Sequence, residues 1–471
     1  MEDTLSTTPE VLATGLRWVD EHLLSGPDDQ VCLDLDGPVD RATLRAAVHE
    51  RSAAFTDHGL VPGGTVALHL PPSLAYIVNL LAAWRCGAQV TLLDHRLTAY
   101  EAERALERVA PQLVVRPVEQ AAVTMRAFVD VDAAIAHYPG RPAATPHAVI
   151  QLSSGSTGPS KMIGRTAANL AEEVLRYVRI GDGVPAPGER IVLLASMVHV
   201  LGLVGGLLYG LYAGVRLSVP PRLTASGILK TVAASPEPTT LLGVPFHAEL
   251  LGAVREPVEL PQLRRMTTGG ELVRADVWRA FTDRYGVPLG TMYGMTEIGV
   301  IATDLHGHHR PALMPAPGIE VRVDGGELLL GMPASPYLGL VDPTRFTDGW
   351  LHTRDAGGLD PDTGLLTVLG RLDSQVSVGG LKVDLTEVEH TIADLPGVAS
   401  AVVVYDGAIE AYLMLDDPSA ADALDGAMAE RLAAFKRPRV VHVLDQLPRT
   451  ATGKLVRDAT VLRAAARNGT P

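Results

Sequence analysis

The sequence predicts an α/β fold: a large N-terminal domain of layered α/β subdomains with an antiparallel β section, and a small α+β C-terminal domain. Three observations predict it. In the first third of the 471 residues, apolar segments with helical spacing alternate with short apolar strands. From Ile319 the apolar residues alternate with period two, as in antiparallel strands. After residue 373, a segment of about a hundred residues has its own apolar pattern, as a separate domain would.

The individual elements follow from these patterns in chain order. Apolar spacing predicts helices over 44–58 and 74–85, and buried strands over 65–70, 148–152, 241–244 and 289–292. Residues 319–323 and 327–330 form a predicted hairpin, because Asp324-Gly325-Gly326 between them is a turn signal. The last segment predicts strands over 375–378, 400–405, 410–415 and 440–443, helices over 385–394 and 421–435, and a frayed tail from 464. The predicted domains are 1–370 and 374–471, with the boundary between them at 371–373.

Charge and cysteine content exclude several classes of function. Lys and Arg number 40 against 54 Asp and Glu, and this net charge of −14 opposes binding to nucleic acid or to an anionic membrane. Two cysteines, Cys32 and Cys86, are too few for a disulfide framework, so we expect a cytoplasmic protein. Residues 191–215 lack Asp, Glu, Lys and Arg and are long enough to span a membrane, but five glycines and His199 favour a buried core segment.

A Ser/Thr/Gly-rich loop follows the predicted strand at 148–152. It contains Ser153, Ser156, Thr157 and Gly158 and ends at Lys161. Glycines let backbone N–H groups turn toward an anion, hydroxyls add donors and the lysine adds a charge, so the loop suits a polyphosphate. It is not a Walker loop, because two residues separate Gly158 from Lys161. Taken alone, it also fits a flexible loop without a ligand.

Five further motifs follow this loop in a fixed order. They are TGGE at 268–271, YGMTE at 293–297, WLHTRD at 350–355, GRLD at 370–373 and PRTATGK at 448–454. Together with the loop, they resemble the superfamily of AMP-forming acyl-CoA synthetases, peptide-synthetase adenylation domains and luciferases. The resemblance extends over about residues 16–463. It implies that the protein joins a carboxylic acid to ATP, giving acyl-AMP and pyrophosphate, and passes the acyl group to a thiol.

The resemblance also implies a role for the residues that would contact the phosphates. Ser156, Thr157 and Lys161 would bind the β- and γ-phosphates, Thr296 would contact the α-phosphate and Glu297 would ligate Mg²⁺. The chemistry agrees, since a carboxylate that attacks a phosphate needs cations where the negative charges meet. A surface acid is the alternative interpretation of Glu297.

Other motif residues would hold the nucleoside and move the small domain. By the same resemblance, Tyr293 would stack on adenine beside the backbone of residues 269–271 (Gly269, Gly270 and Glu271), and Asp355 would accept both ribose hydroxyls with help from Arg371. Asp373 would be the hinge, and Lys454 would bridge the carboxylate and the α-phosphate. A turn cap at Asp355 and a solvated amine at Lys454 are the alternatives. Arg354 departs from the family pattern, which often has glycine there, and a large side chain needs a permissive backbone angle and a place to go.

The segment 196–203 bears on which acid is activated. It resembles the His-centred segment of acyl- and aryl-CoA ligases, with His199 at an aromatic gate position and Val200 where amino-acid-activating relatives carry Asp. An ammonium facing Val200 would lack a partner, so an aliphatic or aryl acid without an α-amine is favoured. Activation of an amino acid remains an alternative, as does a packed core role for His199.

The acceptor thiol is predicted from segment 379–389. Asp384-Leu385 is nearer to the Glu-Leu of carrier-loading domains than to the Ser-Pro of CoA ligases, and Gly269-Gly270-Glu271 resembles adenylation domains. This slightly favours the phosphopantetheine thiol of an acyl- or peptidyl-carrier protein acting in trans, with CoA as the alternative. Two other classes stay open: an inactive binding protein of the same fold, and a metalloenzyme using His306, His308 and His309, whose loop has no helix or strand to orient ligands.

Overall fold

A computed structural model of the chain describes residues 18–119, 128–153, 161–256, 259–270, 273–339, 342–372, 374–448 and 455–468. The chain forms two compact units. The first comprises Met1–His95, Val109–Leu152 and Met162–Gly370, and the second comprises Arg96–Arg108, Ser153–Lys161 and Arg371–Pro471. Helices and strands alternate in the first unit, and the second combines a small sheet with helices. The predicted α/β class, with a large N-terminal and a small C-terminal part, is confirmed.

Strands in the described part of the chain are short. The first fifteen are β1 Val31–Asp34, β2 Pro38–Asp40, β3 Thr65–Leu68, β4 Gln89–Leu92, β5 Leu113–Pro117, β6 Ala133–His137, β7 Val149–Ser153, β8 Lys161–Arg165, β9 Arg190–Leu193, β10 Arg216–Ser218, β11 Thr239–Gly243, β12 Leu263–Gly269, β13 Leu289–Met295, β14 Gly299–Asp304 and β15 Met314–Pro315. The others are β16 Val321–Asp324, β17 Glu327–Gly331, β18 Tyr337–Leu338, β19 Phe346–Thr347, β20 Trp350–Leu359, β21 Leu366–Arg371, β22 Gln375–Val378, β23 Leu381–Asp384, β24 Val398–Tyr405, β25 Ile409–Leu415 and β26 Val440–Val443.

Helices connect the strands. The α-helices are Arg41–Asp57, Leu74–Arg85, Ala99–Val109, Ala167–Ile180, Tyr209–Ala213, Ala225–Ala233, Pro245–Gly252, Ala275–Tyr285, Leu385–Ala393, Leu424–Arg431 and Ala459–Asn468. Val19–Leu23 and Leu201–Leu208 are π-helical, and Pro343–Arg345 and Pro418–Ala423 are 3₁₀ segments. Side chains that accept backbone N–H groups start several helices, as Asp40 does for Arg41–Asp57 and Ser73 for Leu74–Arg85.

Two large sheets organise the first unit. Among the described residues, one has the strand order β15-β14-β13-β12-β11-β9-β10-β1-β2 and the other β18-β8-β7-β4-β3-β5-β6. Both supply side chains to one apolar core, for example Leu33 and Leu193 from the first sheet and Val66 and Val149 from the second. Because β11, β12 and β13 run parallel, their carboxyl ends meet at one edge of the first sheet. That edge carries two of the predicted motifs.

A third, antiparallel sheet confirms the predicted change of pattern after Ile319. Its order is β16-β17-β20-β19, with β21 paired to β20. Strands β16 and β17 form the predicted hairpin, and Gly325 and Gly326 at its turn have φ of +56° and +84°, which glycine tolerates.

The apolar stretch at 191–215 is a buried part of the core, as predicted. It contributes β9, the π-helical segment Leu201–Leu208 and the helix Tyr209–Ala213, and Leu203 and Leu207 are fully buried. In the part of the chain that the structure describes, none of the helices combines the length and the apolarity that crossing a membrane requires.

The second unit contains the sheet β24-β25-β26, the hairpin β22-β23 and helices that pack on them. Two expectations were wrong here. The helix expected over 421–435 is shorter, Leu424–Arg431, because a 3₁₀ segment precedes it and Leu432 returns to extended backbone. The tail expected to fray from 464 is helical as far as Asn468, because Leu462 is buried against β24 and β25 side chains.

A buried lysine ties the residues 96–108 to the rest of the second unit. The Nζ of Lys436 lies 2.9 Å from a carboxylate oxygen of Glu101 and 2.9 Å from one of Glu387. Burial disfavours the charged amine, but the two carboxylates outweigh it and raise the pKa of Lys436. The amine is therefore charged and paired.

Candidate active site

The predicted phosphate loop lies between two neighbouring strands. Ser153 is the last residue of β7 and Lys161 is the first of β8. The residues between them, including Ser156, Thr157 and Gly158, lie outside the described part of the chain. A strand, and not the helix that follows a Walker loop, begins at Lys161.

The YGMTE motif forms the turn between antiparallel β13 and β14. Tyr293 lies near the end of β13, Thr296 is half-buried in the turn, and Glu297 is buried. The Glu297 side chain is held by Tyr337 of β18, whose hydroxyl donates to Oε1 at 2.8 Å. A buried carboxylate held by one oxygen suits Mg²⁺, which proteins bind through one or two carboxylates together with substrate phosphates.

Buried charges on the helix Ala167–Ile180 hold the residues that follow this turn. Glu173 accepts the backbone N–H of Val300 at 3.2 Å and pairs with Arg165 at 2.5 Å. Arg176 donates to the carbonyl oxygens of Ile298 and Val300 at 3.2 and 3.3 Å. Sequence analysis missed these residues, and no pattern within the helix distinguishes buried Glu173 from its half-exposed neighbour Glu172.

The TGGE motif ends on the strand beside YGMTE. Gly269 is the last residue of β12 and lies opposite Met292 of β13, next to Tyr293. Gly270 follows in an exposed position with φ of +88°, which only glycine adopts readily. Glu271 lies outside the described residues. The parallel pairing thus brings the Gly269-Gly270 backbone and Tyr293 to the same sheet edge.

The predicted ribose acid lies against the predicted adenine-binding residue. Asp355 is a buried residue of β20, and the Tyr293 hydroxyl donates to its Oδ2 at 2.6 Å. The two residues are 62 positions apart, so only the packing of the third sheet beside β13 brings them together. Arg354, just before Asp355, has φ of +60°, and its guanidinium donates to Thr344 instead of pointing into solvent.

The predicted acyl gate lies beside a carboxylate that sequence analysis did not single out. His199 precedes the π-helical segment, and its Nε2 lies 3.7 Å from Oδ2 of Asp94. The preceding residues are fixed by two buried side chains: Tyr76 donates to the Met197 carbonyl at 2.9 Å, and Gln151 donates to the Val198 carbonyl at 2.6 Å. The polar run Asp94-His95-Arg96, one residue after the end of β4, was the available signal.

Three predicted residues lie at the end of β21 or in segments outside the described part of the chain. Asp373 and Lys454 lie outside the described residues, and Arg371 is the last residue of β21 and belongs to the second unit. In the histidine loop, His306 pairs with Asp182 at 3.1 Å and stacks on His308. Within the described residues, no three His, Cys, Asp or Glu side chains are arranged to hold a metal ion.

Comparison with known proteins identifies what this arrangement is similar to. A family model for "AMP-binding enzyme" matches residues 21–330, and one for "AMP-binding enzyme C-terminal domain" matches residues 387–454. A methyl-dioxo-octahydro-indenyl-propanoyl:CoA ligase of Mycobacterium tuberculosis is 29% identical, covering 97% of this chain and 98% of its own length. A feruloyl-CoA synthase of Amycolatopsis sp is 28% identical, over 85% of this chain and 88% of its own length.

A solved structure has the same fold. An o-succinylbenzoate CoA synthetase from Bacillus subtilis superimposes with a TM-score of 0.80 at 23% identity, covering 95% of this chain and 98% of its own. Similarity at this level of identity is evidence for the fold, while the family-model match extends over most of the chain.

Proposed function

The chain belongs to the AMP-binding enzyme family, that of the AMP-forming acid–thiol ligases, and from this premise we propose that it activates a carboxylic acid without an α-amine and transfers it to CoA. The observation that carries the proposal is the contact of Tyr293 with Asp355 beside the turn that holds Thr296 and Glu297. At this edge of the sheet, a nucleoside and its α-phosphate would lie side by side.

The nucleotide would bind along this edge. Asp355, with one oxygen already held by Tyr293, offers charge-assisted acceptors to the ribose hydroxyls, and the Tyr293 ring and the Gly269-Gly270 backbone flank the adenine. Thr296 would contact the α-phosphate. Glu297 would hold Mg²⁺, which supplies charge neutralisation at the phosphates when bound. The loop at 153–161 would bind the β- and γ-phosphates.

The reaction would proceed in two balanced steps. In the first, a carboxylate oxygen attacks the α-phosphorus, the bond to the bridging oxygen breaks and pyrophosphate leaves. Lys454 would stabilise the charge shared by carboxylate and phosphate. In the second, the thiol loses its proton, its sulfur attacks the acyl carbon and AMP leaves with the C–O bonding electrons. Between these steps the small C-terminal domain would rotate at Asp373.

The absence of an α-amine in the substrate is inferred from Val200. This side chain is half-buried and packs against the apolar core, so it offers an ammonium no partner. Asp94 favours the competing candidate, an amino acid, because it is the acidic group next to His199. Its carboxylate, however, already faces His199 at 3.7 Å and His95 at 3.6 Å.

CoA is proposed as the acceptor because the relatives described above are named as CoA ligases or synthases. Asp384-Leu385, on which the preference for a carrier protein rested, has a structural use. Asp384 is fully buried and caps the helix Leu385–Ala393, with its carboxylate accepting the N–H groups of Thr386 and Glu387. An aspartate here therefore supports the local fold whichever thiol is used.

ATP–pyrophosphate exchange with a panel of acids tests the substrate. We expect small to medium aliphatic or aryl acids to outpace their α-amino counterparts. Val200→Asp should narrow or reverse that preference, and Val200→Asn, which adds polarity without charge, should not. A preference of the wild-type enzyme for amino acids, lost in Asp94→Asn, would favour the competing candidate. Thioester formation with CoA and with carrier proteins, measured on the same acids, tests the acceptor.

A further inference from the structure

The backbone around Arg354 forms an arch in β20. Leu329 of β17 pairs with His352, and Glu327 pairs with Ala356, so one residue of β17 faces three residues of β20. Arg354 is in the middle of these three and has φ of +60°, in the left-handed region that disfavours side chains other than glycine. Arg354 is thus the top of the arch, and Asp355, the acid predicted to bind the ribose, directly follows it.

Within the arch, side chains accept the backbone N–H groups that do not take part in the hydrogen bonding between β17 and β20. The N–H of Arg354 donates to Oε1 of Glu327 at 2.8 Å, and the N–H of Asp355 donates to Oγ1 of Thr353 at 3.0 Å. The Thr353 hydroxyl in turn donates to the carbonyl of Leu328 at 2.7 Å. Glu327 therefore connects the top of the arch to β17, which is the function a ladder hydrogen bond has elsewhere.

The side chain of Arg354 anchors the arch on its outer side. Its guanidinium donates to Oγ1 of Thr344 at 2.6 Å and lies 3.7 Å from Oε2 of Glu327 and 3.9 Å from Oδ2 of Asp342. The Glu327 carboxylate, whose side chain is 13% exposed, also lies 3.2 Å from Nδ1 of His352. These contacts offset the strain of an arginine in the left-handed region. The φ angle of Arg354 is therefore held by Glu327 at its backbone N–H and by the contacts of its guanidinium.

We propose that Arg354 and Glu327 are positioning residues that hold the arch in β20 and thereby direct the Asp355 carboxylate toward the ribose hydroxyls of ATP. This inference rests on the proposed function, in which Asp355 binds the ribose. Its physical basis is that Asp355 follows a strained residue: if φ at residue 354 relaxes to the extended region, the carboxylate moves away from the Tyr293 hydroxyl.

Two pairs of variants separate positioning from general stability. Arg354→Ala still has a Cβ at a left-handed φ but loses the guanidinium contacts, whereas Arg354→Gly adopts the same φ without strain. Glu327→Ala removes the acceptor for the Arg354 N–H, whereas Glu327→Gln keeps a carbonyl oxygen there. Arg322→Ala is the matched control, because Arg322 stacks on Trp350 at the other end of β20, 4.1 Å from the ring centroid.

The readout is the ratio of dissociation constants for 2′-deoxyATP and ATP, measured with Mg²⁺ by calorimetry on the full chain. The wild-type protein should prefer ATP by about tenfold or more, since a charge-assisted hydrogen bond is at stake. Arg354→Ala and Glu327→Ala should bring this ratio close to one, because ATP then loses the contacts of both ribose hydroxyls whereas 2′-deoxyATP loses only that of its 3′-hydroxyl. Arg354→Gly, Glu327→Gln and the Arg322→Ala control should keep it within about twofold.

The outcomes that overturn the inference differ from those that overturn the proposed function. If the wild-type protein binds no ATP, or does not distinguish it from 2′-deoxyATP, the ribose assignment fails and the inference fails with it. If the wild-type preference exists and both alanine variants retain it, the arch does not position Asp355. Equal weakening of both nucleotides, or equal loss in Arg354→Gly and Arg354→Ala, would also refute the role.

Discussion

Replacing Gly299 with alanine tests how the turn that carries Thr296 and Glu297 is held. Gly299 begins β14 with φ of +89°, a backbone angle that other residues rarely adopt. A Cβ at this position would overlap the carboxylate of Glu173, so that side chain would have to move. The Glu173 side chain is only 1% exposed, so it is enclosed by other residues.

The expected cost follows from two contributions. The left-handed angle costs an alanine about 1–2 kcal/mol. Displacing Glu173 breaks its buried ion pair with Arg165 and its bond to the Val300 N–H, and breaking such a pair costs about 3–5 kcal/mol. We therefore expect the free energy of unfolding to fall by about 5 kcal/mol. Because the turn shifts with Val300, pyrophosphate exchange by the folded variant should also fall.

Gly59→Ala is the matched control. Gly59 follows the helix Arg41–Asp57 with φ of +80°, and nothing lies within 4 Å of the Cβ it would gain. It should lose only the backbone contribution of about 1–2 kcal/mol. Urea unfolding followed by fluorescence measures both variants. If Gly299→Ala is no less stable than Gly59→Ala, the Glu173 contact does not hold the turn and the reasoning is refuted.

Two other perturbations test the lysine motif and a buried histidine. Lys454→Ala should slow adenylation by about 10²–10³-fold but leave thioester formation from preformed acyl-AMP intact. Single-turnover assays of each step measure this, with the surface variant Lys230→Ala as the control. Equal loss in both steps would contradict the role of Lys454. Burial lowers the pKa of His247 from 6.5 to about 4, and its Nδ1 accepts the Val244 N–H at 3.2 Å. From pH 6.5 down to about 4 the unfolded chain binds a proton that the folded protein does not, so the free energy of unfolding should fall by up to about 3 kcal/mol. His247→Asn should remove most of this acid dependence in urea titrations, and an unchanged dependence would exclude His247 as its source.

Local elements and motif order could be predicted from the sequence. The helix predicted over 74–85 has those bounds in the structure, because Ser73 caps its start and the apolar spacing ends at Arg85. The hairpin of β16 and β17 follows from alternation and two glycines. The ordered motifs likewise predicted the family. In each case, residues adjacent in sequence determine the outcome, because hydrogen bonds and side-chain periodicity within one element depend on near neighbours.

Only the tertiary structure determines the contacts that bring these motifs together into one site. Tyr293 contacts Asp355 because the third sheet packs beside β13, and Glu173 contacts Gly299 because the helix that carries it packs beside β14. Arg354 shows the limit most directly. Its side chain called for a permissive backbone angle, yet the structure gives φ of +60°, and Glu327 as the partner of its N–H depends on the pairing of β17 with β20. Neither local spacing nor composition encodes which distant side chain a fold places opposite a buried donor, because that depends on strand order and register.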